Sequence, residues 1–219
     1  MKQKYAWAYM EKPENKSTKK ETATDVSFQI ENNDIKEQYI LKLWKDMNTI
    51  DCIKTRRSVR KFKDEQIKED ELIQVLEAGT WSPTSMGAQH PHIVAVQNPA
   101  FIERLRKMNA EVMGTTGDPY YGAPTIILVL TDRGYGNEVY DGSIVLQTMM
   151  LATHEIGLGT CWIHREREMF DSEEGKHLLR DMGIQEDLMG IGALSIGYEA
   201  EGGSHAPKPR KPDYYRVIK

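Results

Sequence analysis

VYDGSIVLQTMMLATHEIGLGTCWI, residues 139 to 163, is the stretch that decides the fold class. From Val139 to about Ile156 it is apolar on most sides and long enough for a helix, which predicts a helix in the middle of the molecule. Gly157 stands where a left-handed residue ends such a helix. GTCWI (159–163) then reads as a short strand. A central helix running into a strand needs further layers, and the flanking text supplies them. TIILVL after Pro124 is a buried strand with β-branched residues at most positions, HIVAV (92–96) is another, and IGALSIGY (191–198) a fourth. Between them, Ile67 to Gly79 carries Ile67, Leu72, Val75, Leu76 and Gly79 at helical spacing, with acidic residues in its first turn. Short helices are predicted over Pro99–Asn109 and Glu173–Met182. Alternating strands and helices place the chain in the α/β or α+β class, with helices covering a sheet.

The N-terminal part differs. Residues 1 to about 33 are polar, and their apolar residues are too sparse to define a buried face. From Asn33 the text becomes periodic through Ile35, Tyr39, Leu43, Met47 and Ile50, and the pattern runs toward Arg57. Asn33 or Asp34 caps that helix, and Asn48 or Thr49 is an alternative start for a second one. The expected division is an extension over residues 1–46 and a domain over 47–219. The 219 residues suffice for one domain and an appendage.

Composition narrows the function classes. The formal charge is -4 and the isoelectric point about 5.9. That lacks the clustered basic excess which nucleic acid or an anionic bilayer would attract, so neither is an expected partner. Cys52 and Cys161 are the only cysteines and have no CxxC or Cys/His spacing, which predicts reduced thiols and no metal site. No run reaches the ~18 to 20 apolar residues of a membrane span. The N-terminus also lacks the apolar stretch of about 7 to 15 residues found in a signal peptide. A cytoplasmic location is the expectation.

Four segments carry polar residues that packing alone does not demand. Thr55 to Phe62 (TRRSVRKF) sets arginine forks, suited to a phosphate or a polarised carbonyl, near a helix end where cations are favoured anyway. Ser82 to Gln89 (SPTSMGAQ) combines small residues that let backbone approach a flat ring with an amide able to pair a heterocycle edge; it is also a set of turn formers. Gly157 to His164 (GLGTCWIH) has glycines that a cap and close packing already explain. Ala206 to Pro212 (APKPRKP) is a proline-stiffened basic strip that either holds an anion or is a solvated tail. GxGxxG, Walker A, HExxH and GxSxG are absent, which leaves dinucleotide-fold, P-loop, zincin and hydrolase readings without their main support.

Taken in order, RRSVRKF, SPTSMGAQ, YGAPTIILVL, the long helix entering GLGTCWI, and LSIGY followed by KPRKP resemble the nitroreductase-type flavoprotein family over about residues 48 to 215. The resemblance implies an α+β fold with a central, mostly antiparallel sheet flanked by helices, and an interlocked homodimer holding one FMN at each of two interface sites. It implies that Arg56, Arg57, Ser58 and Arg60 hold the FMN phosphate, ribityl chain and pyrimidine edge, with Lys208 and Arg210 joining Arg56 at the phosphate. Pro83, Thr84, Ser85, Met86 and Gln89 would come from the other subunit to line the isoalloxazine. Trp162, Ile163 and His164 would pass the ring, with the His164 amide as donor to N5. The family often has Asn at the position of Gly87 and Pro-Trp at His90-Pro91, so one side-chain contact to the flavin is missing here.

The implied activity is ping-pong hydride transfer from NADH or NADPH, through FMN, to small electron-poor acceptors such as quinones and nitroaromatics. No catalytic acid or base is required, and Arg60 is the candidate stabiliser of reduced flavin. The alternatives are a flavin reductase-like or dehalogenating member, and a flavin-binding module without turnover. Met47, where family domains commonly begin, is a candidate translation start.

Overall fold

The computed structural model describes residues Met47 to Lys219. The proposed extension and the helix expected from Asn33 lie outside the described residues, apart from that helix's last turns. Those turns form a helix of their own, α1 (Thr49–Thr55), because the Asn48 Oδ1 accepts from the amides of Ile50 and Asp51 at 3.0 and 3.1 Å. An N-cap residue sits outside helical backbone space, so the periodic pattern is broken at Asn48 and ends at Thr55, short of Arg57.

Helix α2 (Glu69–Thr80) starts two residues later than its periodicity predicts. Glu71 reaches back to accept from the Lys68 amide at 2.9 Å, fixing the start there, while Ile67 is buried just ahead of it. A short 3-10 turn, Ser85–Gly87, precedes β1 (Pro91–Val96). Helix α3 (Pro99–Met113), capped by Asn98, runs a turn past the expected Asn109 to Gly114, whose left-handed φ of 69° ends it. Strand β2 (Thr125–Thr131), helix α4 (Glu138–Glu155) and strand β3 (Gly159–Ile163) follow. Gly157, at φ 85°, ends α4 as its sequence position predicts. Helix α5 (Glu166–Asp171) was not expected; α6 (Glu173–Asp181) and β4 (Met189–Gly197) were.

The four strands form one sheet in the order β1-β2-β4-β3, antiparallel at every pairing. The two central strands, β2 and β4, are buried at every position. Period-two alternation then sorts their side chains into two cores. Ile126, Leu128 and Leu130 pack with Ile102, Leu105, Phe170 and Leu178 of α3, α5 and α6. Ile127 and Val129 pack with Val75, Val145, Leu146 and Met149 of α2 and α4. Helices thus cover both faces, which is why an antiparallel sheet reads as unbroken apolar runs. Among the described residues no helix is long and apolar enough to cross a membrane.

Candidate active site

After α1 the chain runs alongside β3. Ser58 bridges Thr160 in parallel, the Val59 amide donates to the Thr160 carbonyl at 2.9 Å, and the Arg60 amide donates to the Gly203 carbonyl at 2.7 Å. Val59 is buried against Gly159, where a Cβ would come within about 3.0 Å of its methyl groups, so the glycine permits this close approach. Val59 faces inward, and Arg60, Ser58 and Arg56 all come near the Cys161 thiol of β3.

The cations differ in what they touch. Arg57 donates through Nη1 to the carbonyls of Lys54 and Arg56 at 2.8 and 2.7 Å, the helix-end role that its position allows. Arg56 is half-buried, and its Nη1 is fully shielded with no hydrogen-bond partner among the described residues. Burial, then the charge of Arg57, lowers its pKa from the ordinary guanidinium value. The Arg60 guanidinium is exposed and stands 5.9 Å over the Tyr121 ring. His154, at the end of α4, shares this neighbourhood: burial first, then Arg56 and Arg57, push its pKa down. The Thr55 hydroxyl spends its one hydrogen on the Asp51 carbonyl at 2.7 Å, so the His154 Nε2, 2.9 Å from the same oxygen, is the donor. His154 thus presents Nε2–H to Thr55, and burial with the two arginines disfavours its charged form. Burial likewise raises the Cys161 thiol, against the opposing pull of Arg60, Ser58 and Arg56. The corner is cationic, with an unmatched buried donor, and suits an anion.

At the far end of β3, Trp162 is half-buried, Ile163 buried and His164 exposed. The His164 carbonyl accepts from the Asn109 Nδ2 at 3.0 Å, and Arg165 takes a left-handed φ of 89°. The Pro83–Gln89 loop is held by α4: the buried Asp141 carboxylate accepts from the Ser85 amide at 3.0 and 3.1 Å and from its hydroxyl at 3.1 Å. Thr84 Oγ1 accepts from the Gln89 amide at 3.0 Å. This loop turns outward, with Met86 and Gln89 at positive φ and the Met86 side chain wholly exposed.

A family model, described as the nitroreductase family, matches residues 53–198. The chain belongs to the nitroreductase family. A protein of Methanothermobacter thermautotrophicus whose name carries NADH dehydrogenase/NAD(P)H nitroreductase is 30% identical over 71% of this chain and 79% of its own length. A Bacillus subtilis protein named FMN reductase [NAD(P)H] is 26% identical over 74% of this chain and 70% of its own. Among solved structures, a Bacteroides fragilis nitroreductase with bound FMN superposes with a TM-score of 0.74 at 27% identity, covering 79% of this chain and all of that one. The α+β nitroreductase architecture expected from the sequence is thereby established.

Within this nitroreductase-family chain, Arg56, Ser58 and Arg60 gather beside β3, and Trp162 to His164 form that strand's exit. Pro83, Thr84, Ser85, Met86 and Gln89 form a separate outward loop. Lys208 and Arg210 lie in the exposed segment after Gly203 and make no hydrogen bond or ion pair among the described residues. Sequence reasoning missed Asp141, His154, Tyr121 and the Asn109–Glu166 pair. An acid in the first turn of an otherwise apolar helix was a signal for Asp141; nothing in the text links Asn109 with Glu166.

Proposed function

We propose that this chain is an FMN-dependent NAD(P)H oxidoreductase that acts as a homodimer on small electron-poor acceptors. The observation that carries the reading is the buried Arg56 Nη1, without a hydrogen-bond partner among the described residues, at a cationic corner in a family whose B. fragilis member holds FMN. A phosphate there would satisfy a charged donor that is otherwise costly to bury.

Bound FMN supplies the redox chemistry, taking hydride from a nicotinamide and returning it to a second substrate. The chain's residues bind and orient. Arg56 and Ser58 hold the phosphate and ribityl chain, with Arg57, Lys208 and Arg210 adding charge around them. Arg60 would supply the positive charge at the pyrimidine edge, which would favour electron gain. The exit of β3, Trp162 to His164, would line the ring, with the His164 amide as the donor that would orient it. The Pro83–Gln89 loop, fixed by Asp141, would line the ring held by the second copy of the chain. Donor and acceptor use one position in turn, which gives ping-pong kinetics without a side-chain acid or base.

The similarity to the B. subtilis FMN reductase favours free flavin as one candidate acceptor among quinones and nitroaromatics. The test is anaerobic titration of FMN-loaded protein with NADH and with NADPH, followed by a panel of acceptors. Stoichiometric bleaching and reoxidation by an acceptor are expected. A yellow protein that neither nicotinamide bleaches would instead be a flavin store, and a chain unable to bind FMN would end the reading.

A further inference from the structure

Behind the exit of β3 lies a buried polar cluster that no step above uses. Glu166, the first residue of α5, is fully buried; its Oε1 accepts from the Tyr120 hydroxyl at 2.9 Å and from the Asn109 Nδ2 at 3.3 Å. Asn109, also fully buried, donates to the His164 carbonyl at 3.0 Å, and its Oδ1 accepts from the Arg165 Nε at 2.8 Å. These contacts fix the amide's orientation, since only its oxygen can serve Arg165 and only its nitrogen the three acceptors, the third being the Tyr120 oxygen at 3.3 Å. Asn109, distant in sequence and itself held by Tyr120 and Glu166, thus bonds both residues of a two-residue corner, one of them in a left-handed conformation that arginine seldom takes. From the other side, Gly190 of β4 passes so close to the Glu166 carbonyl that a Cβ could not be accommodated. A buried network of this kind is high-stakes: it fixes the backbone when satisfied and is costly when broken.

We propose that Asn109 and Glu166 are positioning residues that lock the His164–Arg165 corner and so set the geometry of hydride transfer at the flavin. This rests on the reading above, in which the His164 amide faces N5. Two further facts agree with it. Glu166 Oε2 is buried without a partner among the described residues, so the ionised carboxylate is only half-satisfied. Burial accordingly raises the pKa of this carboxyl to about 7. The titratable groups facing it are Tyr120 from the turn before β2, Arg165 at the corner and Glu168 on α5. Around neutrality the cluster therefore exchanges between a neutral and an anionic form. With flavin bound at the His164 corner, the anion would add negative charge behind that corner, and electron gain should slow as pH rises.

The test uses the full FMN-loaded chain and its Asn109→Ala and Glu166→Gln variants. Amide hydrogen exchange should accelerate by about tenfold or more at residues 164–167 in Asn109→Ala while β2 and β4 stay protected. Anaerobic flavin reduction at FMN saturation should slow, by up to about 100-fold for a displacement near 1 Å. In Glu166→Gln the pH profile of reduction should lose an inflection near 7 that the wild type shows. Unchanged exchange at the corner would overturn the proposal; so would altered exchange with a wild-type reduction rate, or an inflection that persists in Glu166→Gln. If the wild type is not reduced by any nicotinamide, the functional reading fails, and the exchange measurement still decides whether Asn109 locks the corner.

Discussion

Arg56 and Glu166 are opposite answers to burying a charge. Arg56 stays cationic with a shielded, unmatched Nη1, and a charged hydrogen bond to a bound phosphate would contribute about 1.5–3 kcal/mol. Arg56→Ala is therefore expected to raise the FMN dissociation constant roughly 10- to 100-fold; equal affinity in a flavin-fluorescence titration would remove Arg56 from the site. Arg60, exposed and stacked on Tyr121, is expected to act later: Arg60→Ala should keep the fold and slow anaerobic reduction about tenfold or more, and an unchanged rate would contradict its assignment. Glu166 instead keeps its proton up to about pH 7 in the folded chain, whereas an unfolded glutamate loses it near ~4.3. Between those values the native state binds more protons than the unfolded one. Stability contributed by the neutral form is thus present below the unfolded pKa and declines as pH rises to about 7, by roughly 3 kcal/mol in all. Glu166→Gln should consequently gain stability over the wild type between pH 5 and pH 8 in urea unfolding, and parallel pH dependences would refute this.

Among the elements, those with long, regular apolar patterns were legible: β2, α4 and the β3 that follows, with Gly157 between them. Boundaries set by single side-chain hydrogen bonds were less so. Asn48 could equally have sat inside one continuing helix, and only its bond to the Ile50 and Asp51 amides decides for a break. Helix α5 escaped because its six residues, EREMFD, are mostly charged; its one buried acid is paid for by Tyr120 and Asn109, which lie far off in sequence. The same holds for the site, where the local RRSVR motif could be read but the Asp141–Ser85 and Asn109–His164 contacts could not. Close packing at this corner gives its own test. A Cβ on Gly190 would meet the Glu166 carbonyl and stand 2.9 Å from the Arg167 nitrogen, both backbone and unable to rotate away. Gly190→Ala should cost about 3 kcal/mol or more in thermal or urea unfolding, and a variant of wild-type stability would show that the α5–β4 contact is looser than described.

For the molecule as a whole, several large apolar side chains among the described residues stay exposed. Val139, Tyr140 and Ile144 stand exposed on the otherwise apolar α4, and Tyr214, Tyr215, Val217 and Ile218 are exposed in the C-terminal segment. Exposed apolar side chains of this kind mark an association surface, and the homodimer proposed above would cover them. Tyr140→Asp should weaken self-association and FMN retention together, read by sedimentation velocity and by flavin content; a monomer that keeps its FMN would separate the two. The most direct measurement is a crystal structure of the chain grown with FMN. The phosphate is expected against Arg56 Nη1, Arg60 at the pyrimidine edge, and the Pro83–Gln89 loop of a second copy across the ring; FMN bound away from Arg56, or wholly within one copy, would overturn the assignment.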